Sequence, residues 1–206
     1  MTVYLDSASA VAALLGDHAV AKAWTEPSAL PEMRVAGLAG HLARSVLLTE
    51  AVFDAPIEEG HALTTAEYYL AGGDLSDLGS HSNLRVRESG EDTAAGGPGA
   101  LALTVRDALG RLSARLPGES LAVAHTWFGR CTTRRTVLEA RVLEMVVHAD
   151  DLAVSVGISR LELPSAAVDL TIQLLLEVAR GRHPPMAVVR AFARRERDAA
   201  DALRVF

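Results

Sequence analysis

Apolar residues recur every three to four positions through most of the chain, the spacing of helices that each bury one face. A first helix is predicted to open at the N-cap pair Asp6-Ser7 and to carry Val11, Leu14 and Leu15 inward, with Gly16 interrupting it before a short run from Val20 to Trp24. Thr25 to Pro31 reads as a loop punctuated by two prolines. A long helix follows from about Arg34 to Phe53, with Val35, Leu38, Leu42, Val46 and Leu47 on its inner face. Between Ala55 and Gly99 the signals are mixed. Thr64 to Leu70 reads as a short helix stopped by Gly72-Gly73, and Gly90 to Gly99 as the most linker-like stretch in the chain.

Pro98 suits the first turn of a third long helix, Ala100 to Leu116, with Leu101, Val105, Leu109 and Leu112 inward. Leu121 to Phe128 reads as an extended connector or tight turn closed by Gly129. The clearest helix runs from about Thr133 to Val156, where Val137, Leu138, Val142, Met145, Val146, Ala149, Leu152 and Val156 trace a wide apolar stripe. Gly157 is placed to end it. Pro164 to Arg182 and Pro185 to Val205 read as two further helices. Together these predict an all-α fold: a four-helix bundle with additional C-terminal helices, forming one domain over residues 1–206. The core bundle takes about residues 1–157 and the C-terminal helices about 164–205.

Composition narrows the function. Of the 206 residues, 50% are hydrophobic but only 4% aromatic, which favours helices packed closely through small side chains. A net charge of −6 argues against a general nucleic-acid binder, and no compact basic helix-turn-helix is visible. No stretch approaches the uninterrupted apolar length of a membrane span, and the start MTVYLDSASA lacks the features of a signal peptide. A cytoplasmic protein with neither nucleic acid nor membrane as partner is expected. Cys131 is the one cysteine, which excludes an intramolecular disulfide.

Of seven histidines, His148 is the informative one, because Glu144 sits four residues before it and shares its helix face. A carboxylate and an imidazole so placed can clamp one divalent ion. Asp151 continues the same stripe and could orient a ligand. A site inside a bundle needs a ligand from another helix, and His41, between Leu38 and Leu42, is the best candidate. Three N/O ligands with open positions would be a catalytic pattern, with zinc the metal expected. The bland alternative is that these are boundary histidines on apolar helices, and spacing alone leaves both readings open. His125 and Trp127 could line the same pocket and bind a cosubstrate, or be a boundary histidine and a core aromatic. Cys131 has no histidine within a turn to act as base, so an inert thiol is expected.

Two motifs then carry a resemblance. Trp24, Pro27-Ser28-x-x-Pro31, Val35-x-x-Leu38 and Gly40-His41-Leu42 resemble the first motif of the DinB-like, mycothiol-dependent maleylpyruvate isomerase family. Arg141-x-x-Glu144-x-x-Val147-His148-x-x-Asp151-Leu152 is similar to its second metal-ligand block. The resemblance implies a DinB-like four-helix bundle holding one divalent metal by His41, Glu144 and His148, with mycothiol as thiol cosubstrate. Glu144 and His148 would then carry the chemistry of a metal-dependent thiol transferase or isomerase acting on a small electrophile. Full-length maleylpyruvate isomerases carry a further α/β domain, whereas the 54 residues after Leu152 read here as two helices. Isomerisation of maleylpyruvate itself is therefore not expected. The alternative is a non-catalytic metal- or small-molecule-binding bundle of the same family, and a homodimer is left open.

Overall fold

A computed structural model of the chain describes residues 1–57, 60–72, 79–193 and 196. Four helices make the central bundle: α1 (Thr2–Leu15), α3 (Val35–Leu47), α7 (Pro98–Arg115) and α8 (Arg134–Ser155). Short α2 (His18–Lys22) and α4 (Thr49–Asp54) flank α3, and α5 (Thr65–Leu70) and α6 (His81–Ala94) cover its other side and that of α8. Then α9 (Ser165–Arg182) lies along α8 and α5, and α10 (Pro185–Ala193) follows it. The expected all-α bundle with C-terminal helices is what the chain forms. Among the described residues, no helix is long and apolar enough to cross a membrane.

The core forms where the stripes meet. Tyr4, Val11, Leu38, Leu42, Leu112, Met145 and Leu152 are all buried in one cluster drawn from the four central helices. A smaller cluster of Tyr69, Leu143, Leu174, Val178 and Val188 ties α5, α9 and α10 to the back of α8. Helix α8 stops as predicted. Gly157 adopts φ +74°, Ile158 N–H bonds Ala153 O at 2.9 Å, and Gly157 N–H bonds Val154 O at 3.3 Å. That pair of bonds satisfies carbonyls the helix end would otherwise leave open.

Three predicted boundaries move, each for a physical reason. The first helix starts at Thr2, not at Asp6-Ser7, because the buried Ser7 hydroxyl donates back to Val3 O at 2.7 Å and so sits inside the helix instead of capping it. The long helix predicted from Arg34 to Phe53 divides at Leu48 into α3 and α4, where the Thr49 hydroxyl donates to Ser45 O at 3.0 Å. The stretch read as a linker from Gly90 is largely the end of α6, and a short turn then joins it to α7. Helix α6 is polar, burying only Gly90 and Ala94, so hydropathy does not reveal it. It packs instead by backbone approach: a Cβ on Gly40 would overlap the Gly90 carbonyl, and one on Gly90 would overlap the Gly37 carbonyl. The last predicted helix reaches Ala193 within the described residues, and its continuation to Val205 lies outside them.

The connector before α8 is a hairpin of β1 (Ala124–Trp127) and β2 (Arg130–Thr133), paired antiparallel with Trp127 opposite Arg130. Its two-residue turn needs positive φ at both positions, and Phe128 and Gly129 supply +47° and +75°. Thr133 closes the hairpin and caps α8, its hydroxyl accepting the Thr136 N–H at 3.1 Å.

Candidate metal centre

Helix α3 is buried on nearly every side, and His41 and Arg44 are the polar residues of its interior that stay partly open. Such all-round burial follows from the run of Ala, Gly, Leu and Val on both faces. It makes the location of His41 informative, because an imidazole in that setting must face a polar gap. The gap is closed by α8, where Glu144 and His148 lie one turn apart on the face turned to α3.

One ligand atom each from His41, Glu144 and His148 can be chosen so that all three lie within 4.8 Å of one another. Glu144 Oε2 is 3.2 Å from His148 Nε2 and 3.7 Å from His41 Nε2. The two imidazoles meet edge to face, with centroids 4.7 Å apart. The remaining ligand atoms are held from behind. His148 Nδ1 lies 3.0 Å from Asp151 Oδ2, and the Tyr69 hydroxyl donates to Glu144 Oε1 at 2.9 Å. Both contacts leave Nε2 and Oε2 free to converge, the arrangement in which an outer carboxylate fixes a metal-binding histidine.

The donor set fits a divalent cation. Two imidazoles and a carboxylate suit zinc-like ions, and three protein ligands leave coordination positions open. His41 Nδ1 is buried without a hydrogen-bond partner. His41, Glu144 and His148 together could hold a metal.

Protonation follows from the same geometry. Burial holds His41 below its ordinary pKa, against the pull of Glu144. Burial alone would raise Glu144, but the close imidazoles of His148 and His41, with the charge of Arg141, hold it well below the usual carboxylate range. Burial opposes the charge on His148 too, yet Asp151 and Glu144 push its pKa up to about 9. At neutral pH the metal-free site is therefore a neutral His41, an ionised Glu144 and a protonated His148. Metal must displace the His148 proton, so its affinity is expected to rise about tenfold per pH unit toward pH 9 and to level off above it. Calorimetry of zinc uptake in buffers of different ionisation enthalpy should show close to one proton released at pH 7. A second expectation concerns Asp151→Asn, which should weaken metal binding by about 10- to 100-fold without unfolding the chain. Competition with a chromophoric chelator measures it.

The three residues line one side of a cavity of about 740 Å³, within the range of small-molecule sites. Tyr68, Tyr69, Arg44 and Arg141 line it as well, and residues of α6 form its opposite wall. His125 and Trp127 are not among the lining residues. His125 is fully buried under the hairpin, with Trp127 packed against the main core. The hairpin residues that do reach the cavity are Phe128 and Arg130. Tyr69 is the site residue that sequence reasoning passed over. The signal available was slight: two adjacent tyrosines in a chain with only three.

A helical bundle that sets a His/Glu/His group on the wall of an open cavity defines a candidate metal-binding protein. Residues 4–153 match the mycothiol maleylpyruvate isomerase N-terminal domain family, and the chain belongs to it. The match covers both motifs that carried the resemblance. No curated protein and no solved structure gives a significant match.

Proposed function

We propose that the protein is a metal-dependent thiol transferase or isomerase, which brings a small thiol of the mycothiol type together with a small electrophile. The observation that carries this reading is the convergence of His41, Glu144 and His148 beside an open cavity, in a chain of this family. When bound, a divalent ion such as zinc supplies a positive charge that ionises the thiol near neutral pH, where a free thiol of pKa about 8.5 is only a few per cent thiolate. Asp151 sets the tautomer of His148 by holding Nδ1, and Tyr69 orients Glu144 by holding Oε1. A carboxyl held so far below its usual range is a poor proton acceptor. Glu144 therefore acts mainly as a ligand. The cavity walls position the electrophile, and Cys131, in β2 and outside the lining residues, takes no part.

The test is thiol-dependent consumption of electrophiles such as monochlorobimane or small unsaturated acids, with mycothiol, glutathione and cysteine as alternative thiols. Zinc-loaded protein should accelerate the reaction with at least one thiol. Cys131→Ser should retain activity, whereas Glu144→Gln should lose metal affinity and turnover together. Zinc-loaded protein with no rate above background for any thiol, across such a panel, would leave a binding module instead.

A further inference from the structure

Arg44 lies one turn beyond His41 on α3, and Arg141 lies one turn before Glu144 on α8. Both side chains line the cavity that holds the ligand triad, and both are partly buried. Other buried and half-buried arginines find partners. Arg87 pairs with Glu32 at 3.1 Å, Arg134 with Glu119 at 2.7 Å, and Arg130 donates to Ala71 O at 2.8 Å. Among the described residues, no hydrogen bond or salt bridge joins the side chain of Arg44 or Arg141 to any other group, and Arg141 Nε is buried without a partner. The nearby carboxylate, Glu144, is already taken by two histidines and Tyr69.

Two unmatched guanidinium groups on one cavity wall are costly by themselves. Each loses hydration, and each opposes the other's charge, which together with burial lowers the pKa of Arg44. An anion between them would remove both costs. Guanidinium forks match carboxylate geometry, and such charge-assisted bonds are among the stronger ones in proteins. We propose that Arg44 and Arg141 form an anion subsite for a carboxylate-bearing ligand, one helical turn from the metal triad. As a binding site it stands without the thiol chemistry. As a statement about the substrate it rests on the proposed function, and the carboxylate then belongs to the electrophile or to a carboxylate-bearing thiol in place of mycothiol, whose cysteinyl carboxyl is tied up as an amide.

The test is binding of crotonate, a small unsaturated carboxylate, against its neutral isostere crotonamide, followed by ligand-observed NMR on zinc-loaded and chelator-treated protein. Crotonate should bind both forms at least tenfold more tightly than crotonamide, and its affinity should fall as salt is raised. Arg44→Gln and Arg141→Gln should each weaken it by about tenfold or more. Their melting temperatures should stay level or rise, because each removes a like-charge neighbour, whereas a merely structural arginine would lower them. Displacement of crotonate by glutathione but not by cysteamine, which has no carboxylate, would assign the subsite to a carboxylate-bearing thiol in place of mycothiol. Displacement by neither would assign it to the electrophile. Equal binding of crotonamide, or crotonate binding that vanishes on metal removal yet survives in both arginine variants, would overturn the subsite. Arginine-dependent crotonate binding in a protein with no thiol-dependent activity would keep the subsite and discard the enzymatic reading.

Discussion

Replacing His148 with alanine is expected to abolish stoichiometric binding of a divalent metal, with a loss in affinity of more than about 100-fold, since changing an outer partner alone costs 10- to 100-fold. His148 supplies Nε2 at 3.2 Å from Glu144 Oε2, and among the described residues no histidine or cysteine beyond His41 and His148 joins the group. His41→Ala should behave alike, because the second imidazole comes from a different helix and α8 offers no substitute. Both side chains are only partly buried, so circular dichroism should show the helices retained. Elemental analysis of protein purified without an affinity tag, before and after dialysis, measures the loss. Full occupancy at unchanged affinity in either variant would remove that residue from the site.

Gly40→Val is expected to give the largest loss of stability of any single exposed or buried change discussed here. The new side chain would meet the backbone carbonyl of Gly90, which cannot rotate away as a side chain could. Helices α3 and α6 would have to separate, and overpacking of this kind costs about 3 kcal/mol. For a chain of this size that corresponds to a fall in melting temperature of roughly 6–12 °C. The same separation would shift His41, the next residue, so metal affinity should fall along with stability. Thermal melts with and without zinc test both. A variant as stable as the parent would mean that α6 does not pack on α3 through its glycines.

These two predictions mark where the fold and the site were legible in the sequence. The ligand triad was, because Glu144 and His148 sit at helical spacing within an apolar stripe and His41 interrupts another. Where α8 begins and ends was equally plain, since Thr133 and Gly157 carry strong capping chemistry. Helix α6 was hidden because all it buries is Gly90 and Ala94, which no hydropathy pattern registers. Ser7 misled because the same hydroxyl that can cap a helix can bond back to the preceding turn inside one. Tyr69 escaped because its role depends on α5 folding against α8, across a separation of 75 residues from Glu144. Arg141 was visible in the sequence only as the first position of the second motif, and Arg44 carried no signal at all. Only the packing of α3 on α8 shows that one cavity receives both.

The proposed function requires that the metal-loaded site ionise a small thiol. The most direct measurement is the ultraviolet absorbance of thiolate when mycothiol is titrated with zinc-loaded protein at neutral pH. A thiolate signal that saturates at one equivalent is expected, absent with metal-stripped protein and with Glu144→Gln. A thiol that stays protonated beside a fully metal-loaded site would contradict it.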